Sequence, residues 1–384
     1  VGEGDLVNGK CPLHNVEPQK LSEENYFFKL SAYKEKLLAH IAAHPTFIQP
    51  ESRRNEVVSY ITNHLADMSI SRKGRDWGIP VPTSPLSPPS EGGDGGGQVL
   101  YVWFDALINY LSVIDFPWDD HAGRSLGEGW WPANLHLMGK DIIKFHCALW
   151  PAMLLSAGLP LPERVFAHGF FTIDGQKISK SLGNAIDPLE LTKHYPLDAI
   201  RYFLLREITF GEDGDFSETR LKQRYEGELA NGIGNLTARI LTMAEKYCKS
   251  AVPQLTTKNS QLKTEEIWAS WATHLDALAF DKALTTIWEF ITSCDTMINT
   301  EKPWALAKTN PERIPGILYT LLESLRHIAL MLLPFIPETA EKILTQLGVA
   351  EQTKKTPLKE LQQWGGLKAG TKITKTENLF PRLS

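Results

Sequence analysis

The pattern of apolar and polar residues divides the chain into two parts that differ in their periodicity. Up to about residue 207, short apolar runs alternate with segments in which apolar residues recur every three or four positions. Strand-like segments that alternate with helix-like segments predict a parallel α/β sheet. From residue 220 onward only helical periodicity remains, in four long segments separated by short breaks. This second part is predicted to be an all-α helical bundle.

Several elements of the α/β part can be placed from local signals. The stretch NLHLMG predicts a short strand that ends at Gly139, and KDIIKFHCALWPAMLLSAG predicts a helix that stops at Gly158. RVFAHGFFTIDG is typical of strands that meet at a tight turn. Asp187 before Pro188 predicts a capped helix start. The Pro-, Ser- and Gly-rich residues 83–97 predict a disordered insertion, since they offer almost nothing to bury.

Length, charge and cysteine usage narrow the class of protein. With 384 residues, two or three domains are expected. The net charge of −5 gives no global basic signature, so a nucleic-acid partner would have to meet local patches. The four cysteines are far apart, which argues against a disulfide framework and against a Cys-rich zinc site. No apolar run is long enough for a membrane span.

Two cations stand close together in FFTIDGQKISKSLGN, residues 170–184. The ordinary interpretation of Lys177 and Lys180 is a solvated surface loop. The alternative is a mobile loop that closes over phosphates, because lysine is a compact point charge suited to pyrophosphate. Ser179 and Ser181 could then add hydrogen bonds. The loop alone does not decide between the two.

Aromatic and histidine side chains offer a second candidate site. Ile142, Phe145 and His146 share one face of the predicted helix, and Trp103 and Tyr110 flank FDALIN. Buried histidines and large aromatics usually belong to a core, where each polar atom has a hydrogen-bond partner. On the residues alone, a core and a ligand pocket both stay open.

The motifs as a set resemble those of class I aminoacyl-tRNA synthetases. KISKSLGN resembles the K-M-S-K-S signature, with Ile178 for the usual Met, and WGIPVP at residues 77–82 resembles the return from the connective-peptide domain. YVWFDALINYLS, DGDFS and the stretch from HLMGKD to KISKS are similar to the methionyl-tRNA synthetase family. The similarity runs from about residue 20 to residue 345, outside the insertion.

The resemblance implies a fold in two parts. We expect the second half of a Rossmann-like catalytic domain of the α/β class, followed by an all-α helical-bundle anticodon-binding domain. The implied boundaries are 1–75 for the rest of the connective-peptide region, 76–207 for the catalytic half with its KISKS loop at 177–181, 208–222 for a stem-contact linker, 223–350 for the bundle and 351–384 for a loosely structured C-terminal tail.

The same resemblance implies three groups of site residues. The methionine side-chain pocket would comprise Trp103, Ala106, Tyr110, Ile142 and His146, and an aromatic wall suits a soft thioether. ATP would meet Gly139, Asp141, His168, Gly169, Lys177, Ser179 and Lys180, with Lys177 and Lys180 as the catalytic cations. The CAU anticodon would meet Asn235, Arg239 and Trp304, with the indole stacked on a base.

Two features of the family are not found in the sequence. No H-I-G-H signature is present, so we expect a chain that lacks the N-terminal half of the catalytic sheet and its contacts to the α-amino group of methionine. Cys11 and His14 alone cannot complete a tetrahedral zinc site, so no zinc is expected.

These inferences predict a methionine–tRNA ligase that uses ATP, Mg²⁺ and tRNA-Met. We expect a monomer with no membrane contact that needs the missing half for activity. The insertion and the ending NLFPRLS favour the mitochondrial matrix, with the cytoplasm as the alternative. Two other functions stay open: a non-catalytic RNA-binding module, and a class I synthetase for leucine, isoleucine, valine or cysteine.

Overall fold

The computed structural model describes residues 8–11, 16–18, 24–73, 77–81, 98–116, 129–173, 175–178, 186–254 and 264–381. The chain divides into two compact units, residues 1–167 and residues 168–384. The predicted insertion at 83–97 lies outside the described residues, and so do Ser179, Lys180 and Ser181.

The part of the first unit that the structure describes contains short strands and five α-helices. The strands are β1 (Phe27–Phe28), β2 (Ile48–Gln49), β3 (Met68–Ser69), β4 (Ser71–Lys73), β5 (Gln98–Leu100), β6 (His136–Gly139) and β7 (Val165–His168), whose last residue already belongs to the second unit. The helices are α1 (Lys34–Ala43), α2 (Glu51–His64), α3 (Val102–Ala106), α4 (Asn109–Ser112) and α5 (Trp150–Ser156).

The central sheet of this unit has the strand order β2-β7-β6. β2 and β7 run parallel, with Ile48 opposite Val165, which confirms the predicted parallel pairing. Leu37 and Ile41, one turn apart on α1, and Ile61 on α2 are buried in the core beside this sheet. The recurrence of apolar residues every three or four positions therefore places the helices on the sheet.

The helix predicted between Lys140 and Gly158 is present, but its winding changes along its length. It begins with a 3₁₀ turn, Lys140–Ile142, continues through a π-helical turn, Phe145–Leu149, and ends as α5. The backbone N–H of Trp150 bonds the carbonyl of Phe145, five residues earlier, as a π-helix requires. Apolar periodicity does not distinguish these windings, so the sequence predicted a plain helix.

The second unit starts with a small sheet and continues as helices. Its strands are β8 (Phe171–Ile173), β9 (Gln176–Lys177) and β10 (Gly214–Phe216). The helices are α6 (Pro188–His194), α7 (Leu197–Arg206), α8 (Glu218–Arg224), α9 (Asn235–Cys248), α10 (Thr264–Asp276), α11 (Phe280–Glu301), α12 (Pro303–Thr309), α13 (Ile314–Leu332), α14 (Pro337–Gln346), α15 (Ala350–Lys355) and α16 (Leu358–Leu361).

The predicted helical bundle is confirmed. Its core forms around α13, in which Leu318, Leu325 and nearly every other side chain are buried, including the charged Glu323 and Arg326. α9, α10, α11 and α14 pack against it. One long π-helical segment, Tyr225–Gly234, joins α8 to α9 and was not predicted.

The prediction of a loosely structured tail after residue 350 is wrong for residues 351–381. Leu367, Ile373 and Phe380 are buried in the core of the bundle. The N–H of Ile373 bonds the carbonyl of Ser250 at 2.8 Å, so the segment is also tied to the end of α9. The segment has few apolar residues, and its order comes from these buried side chains together with backbone hydrogen bonds that sequence patterning does not reveal.

Candidate functional site

The predicted amino-acid pocket lies in the first unit, on α3, α4 and the helix after β6. The ring centroid of Trp103 lies 6.5 Å from that of His146, and the ring of Tyr110 lies 5.7 Å from the same imidazole. Ile142 contributes its backbone carbonyl, which lies 3.0 Å from Nδ1 of His146. Ala106 ends α3 and is exposed. The structure thus brings Trp103, Tyr110, Ile142 and His146 together.

The hydrogen bonds of His146 have a defined direction. A carbonyl oxygen can only accept, so Nδ1 of His146 carries the proton that is donated to Ile142. The imidazole is 2% exposed, and burial lowers its pKa, although the bond to Ile142 partly opposes that shift. In the resulting neutral ring Nε2 is an acceptor, and the Tyr110 hydroxyl donates to it at 2.9 Å.

A second layer of side chains lies behind this pair. His136, at the start of β6, packs its ring 4.2 Å from that of Tyr110. The indole Nε1 of Trp150 donates to Nε2 of His136 at 3.2 Å. Burial, together with the neighbouring His146, lowers the pKa of His136 to about 4. Both histidines are therefore uncharged near neutral pH.

Two half-buried aromatic rings lie at the edge of this site. Trp103 and Phe145 stack with their ring centroids 4.3 Å apart and their planes 9° from parallel. Both rings are only half-buried, so they offer aromatic surface to a ligand. An uncharged, aromatic-lined site favours a neutral and polarizable side chain over a charged one.

His136 and Trp150 were not recognised in the sequence as parts of the site. A signal for His136 is nevertheless present in NLHLMG. Along β6, His136 and Met138 are buried and Leu137 between them is exposed, so the histidine occupies an inward position of an apolar strand. A buried polar residue at such a position needs a hydrogen-bond partner.

The residues predicted to contact ATP are divided between the two units. Gly139 ends β6, and Asp141 lies exposed in the following 3₁₀ turn. In the second unit, His168 bonds the carbonyl of Gly169 at 2.8 Å. A Cβ atom on Gly169 would lie 2.2 Å from the carbonyl oxygen of Glu212, so this close backbone approach requires glycine. Their role towards ATP stays a prediction.

The strand hairpin before the KISKS loop is held by Asp215. Its Oδ1 accepts from Thr172 Oγ1 at 2.6 Å and from the backbone N–H of Gly175, which turns the hairpin, at 2.8 Å. These bonds lower the pKa of Asp215, the bond from Thr172 having the largest effect. The backbone of Lys177 belongs to β9, opposite Thr172. Ser179 and Lys180 lie outside the described residues, so the catalytic assignment stays a prediction.

The predicted anticodon residues lie on two helices of the second unit, Asn235 and Arg239 on α9 and Trp304 on α12. Asn235 is the exposed first residue of α9. Arg239, one turn later, donates to Asp295 at 2.5 Å and to Asn299 at 2.9 Å, both on α11. Trp304 on α12 is 47% exposed.

Arg239 and Trp304 line the same cavity of about 300 Å³, together with Ala238, Thr242 and Met243. The sharp break between α11 and α12 at Lys302, whose φ is 45°, positions the indole there. A guanidinium beside an exposed indole suits an unstacked base.

Among the residues that the structure describes, no three His, Cys, Asp or Glu side chains gather in a group that could hold a metal ion. His14 is not among those residues, so the expected absence of zinc stays a prediction. Within the same described ranges, no helix combines the length and the apolar character needed to cross a bilayer.

Comparison with known proteins decides the family. The family model for class I tRNA synthetases (M) matches residues 1–241, and the model for the anticodon binding domain of methionyl tRNA ligase matches residues 252–384. The chain belongs to the methionyl-tRNA synthetase family. The resemblance inferred from the motifs is therefore confirmed, and so is the fold class: a class I catalytic part with a helical anticodon-binding domain.

Individual relatives agree with the family model. The chain is 43% identical to the methionine–tRNA ligase of Thermotoga maritima over 97% of this chain and 57% of the relative. Identity to the ligase of Nostoc sp. is 42%, over 99% of this chain and 72% of the relative. Mycobacterium tuberculosis methionyl-tRNA synthetase in complex with methionyl-adenylate gives a TM-score of 0.85 at 39% identity, covering 99% of this chain and 74% of that one. The chain thus spans a little more than half of some methionyl-tRNA synthetases and about three quarters of others.

Proposed function

We propose that this protein is a methionine–tRNA ligase. It activates methionine with ATP and transfers the methionyl group to tRNA-Met. The observation that carries the proposal is the uncharged pocket around Tyr110 and His146, with the stacked rings of Trp103 and Phe145 at its edge. The Mycobacterium tuberculosis relative binds methionyl-adenylate, which supports the same chemistry here.

The pocket residues select the side chain rather than perform the reaction. The aromatic edge offers favourable contacts to a thioether sulfur. The Tyr110–His146 pair has no net charge, so it offers no counter-ion to a charged side chain, which would lose its hydration on entry. Leucine and isoleucine would forgo the sulfur contact, so discrimination against them is expected to be smaller than against glutamate or lysine.

The proposed reaction has two steps, formation of methionyl-adenylate and transfer of the methionyl group to tRNA. A carboxylate oxygen of methionine attacks the α-phosphorus of ATP, which enters as its magnesium complex, and the bond from that phosphorus to the bridging oxygen breaks to release pyrophosphate. The oxygen of the terminal ribose 2′-hydroxyl of tRNA then bonds to the carbonyl carbon and loses its proton to solvent, while the bond from that carbon to the phosphate oxygen breaks and AMP leaves. The role proposed for Lys177 and Lys180 is to neutralise the charge that develops on the departing diphosphate.

Amino-acid-dependent exchange of pyrophosphate into ATP tests the proposal. The chain is assayed alone and with the N-terminal catalytic half supplied, with methionine, leucine, isoleucine, valine and cysteine as substrates. We expect exchange with methionine and only when both halves are present. Exchange with another amino acid would show a different class I synthetase. Binding of tRNA without any exchange would show the non-catalytic RNA-binding alternative.

The loop cation is tested in the same assay. Lys180→Ala in the full-length protein is expected to lower the adenylation rate by more than about tenfold, because one charge opposite the pyrophosphate is lost, while methionine binding persists. The matched control is Lys193→Ala, which removes an exposed lysine paired with Glu190 at 2.6 Å on α6. Equal exchange rates for the two variants would contradict the role of Lys180.

The compartment and the oligomeric state stay predictions. The relatives named above come from bacteria and give no support to the mitochondrial matrix, whereas a cytoplasmic location is in keeping with them. A monomer is proposed for the full-length protein, and light scattering after size-exclusion chromatography would measure its mass. Mg²⁺ is proposed as the partner of ATP.

A further inference from the structure

We propose that His136 is a positioning residue that holds the Tyr110–His146 pair in place for amino-acid binding; the inference rests on the proposed function. His136 is 4% exposed, so it offers almost no surface to a ligand. It acts through Tyr110 and Trp150, which it contacts on two different parts of its ring.

The first contact is with the face of Tyr110. The two rings lie 4.2 Å apart at 43°. The Tyr110 hydroxyl is held by its hydrogen bond to His146. A single hydrogen bond at the end of the side chain does not fix the plane of the Tyr110 ring, which can still rotate about the hydrogen-bond axis. Packing against the imidazole of His136 restricts this rotation, so that the ring plane as well as the hydroxyl is fixed.

The second contact is the hydrogen bond from Trp150. The indole is 1% exposed, and its N–H needs an acceptor, which Nε2 of His136 provides at 3.2 Å. The ring of Trp150 also lies 5.9 Å from Tyr110. The rings of His136 and Trp150 therefore both pack against Tyr110, and the hydrogen bond between them fixes their relative orientation.

An apolar residue would fill the volume of His136 without the cost of burying a polar ring. Phenylalanine would preserve the contact with Tyr110 but leave the Trp150 N–H without an acceptor. Glutamine would preserve an acceptor but lose the flat surface against Tyr110. The two contributions can thus be separated by substitution.

The experiment measures amino-acid activation by the full-length protein with His136→Phe, His136→Gln and His136→Ala. His136→Phe and His136→Gln each lose one contact and are expected to raise the KM for the amino acid roughly fivefold. His136→Ala loses both contacts and is expected to raise it roughly twentyfold. The KM for ATP is expected to stay within about twofold and kcat within about threefold, since His136 does not reach the reacting atoms.

His40→Phe is the matched control. His40 lies half-buried in the same unit, where it contacts His44 and Phe47, and it has no contact with the pocket residues. Its replacement should leave every kinetic constant unchanged. If His136→Ala does not fold, the KM values of His136→Phe and His136→Gln for the amino acid test the inference instead. An unchanged KM for the amino acid, or a parallel rise in the KM for ATP, would overturn the inference.

Failure of the proposed function is separated from failure of this inference by the choice of substrate. The unsubstituted protein is first assayed with the amino-acid panel, and the variants are then measured with the amino acid that it activates. A substrate other than methionine would refute the ligase assignment and leave the role of His136 to be judged on that substrate. If nothing is activated, calorimetric binding of methionine, with and without substitution at His136, gives the same comparison.

Discussion

The Tyr110 hydroxyl donates a hydrogen bond to Nε2 of His146 at 2.9 Å, and the opposite nitrogen of the imidazole is bonded to the carbonyl of Ile142. The three groups form one chain of donors and acceptors with a single direction. The backbone of Ile142 thereby sets the protonated nitrogen of His146, and that nitrogen sets the orientation of the Tyr110 hydroxyl. The orientation of the Tyr110 hydroxyl and of the His146 ring is therefore set by a backbone carbonyl, which no side-chain substitution can remove.

Removal of the Tyr110 hydroxyl tests this chain. Tyr110→Phe leaves Nε2 of the buried His146 without its donor, which costs about 1–2 kcal/mol. We expect the KM for methionine to rise roughly tenfold, with the KM for ATP unchanged. Tyr33→Phe is the control, because its ring stacks on that of Phe28 at 5.6 Å and the substitution likewise removes only a tyrosine hydroxyl. Identical kinetics for the two variants would show that the bond does not matter for recognition.

Anticodon recognition predicts a separation of the two reaction steps. Trp304→Ala removes a stacking surface worth about 1–3 kcal/mol per base, so the KM for tRNA should rise at least about fivefold, while pyrophosphate exchange is spared. Trp130→Ala, which removes another exposed indole, is the control and should change neither step. If Trp304→Ala impaired both steps equally, the loss would be one of folding rather than of recognition.

Asp295 is predicted to matter through Arg239. Its carboxylate is half-buried, and burial raises its pKa while Arg239 opposes that shift. Asp295→Ala releases the guanidinium from its 2.5 Å contact, so charging of tRNA should fall several-fold without a change in pyrophosphate exchange. Charging is measured with anticodon-substituted transcripts as well. A variant that charges them all as the unsubstituted protein does would contradict a role in recognition.

The C-terminal segment is predicted to depend on Glu323. This side chain is fully buried on α13 and accepts from Arg326 and from the backbone N–H groups of Gly365, Gly366 and Leu367. Burial alone would raise its pKa, but the hydrogen bonds and the charge of Arg326 lower it to about 2. Its contribution to stability is therefore present above the ordinary carboxyl pKa and is lost as the pH falls towards 2.

Glu323→Gln is expected to cost about 3 kcal/mol in the free energy of unfolding, because Arg326 stays buried without its counter-ion. Urea unfolding measures the cost, and hydrogen exchange at residues 365–367 should accelerate. Glu341→Gln is the control, since its pair with Lys354 at 2.5 Å is exposed and worth less than about 1 kcal/mol. A similar cost for both substitutions would contradict the buried anchor.

Acid sensitivity is predicted from His136. Its pKa is about 4 in the folded protein and near 6.5 when unfolded, so between these values the unfolded chain binds more protons. Stability is then lost as the pH falls, by about 2 kcal/mol between pH 7 and pH 5. Urea unfolding at the two pH values should show a smaller loss for His136→Phe than for the unsubstituted protein. Equal losses would show that His136 does not titrate as a buried group.

Much of the architecture could be predicted because it depends on apolar periodicity and on motifs contiguous in sequence. The parallel pair of β2 and β7 and the helices of the bundle follow from such patterns. Trp103, Tyr110 and His146 were placed in one pocket by resemblance, and the structure brings them together. What escaped prediction depends on contacts between distant segments.

The anchoring of residues 365–367 by Glu323 joins positions more than forty residues apart, and the bond is invisible in a segment with few apolar residues. Likewise, the contact between His136 and Trp150 links a strand to a helix. Apolar periodicity predicts which face is buried, but it does not show which buried polar groups find each other.

The π-helical turn Phe145–Leu149 accommodates one residue more than an α-helical turn in the same place. Because the turn absorbs this residue locally, the helix before it and α5 after it keep their relative orientation. Deletion of one residue inside the turn would restore regular α winding and leave the faces of α5 where they are. The same deletion within α5 would rotate every later residue of that helix by about 100°. The helix is therefore expected to tolerate a change of length at the turn better than in α5.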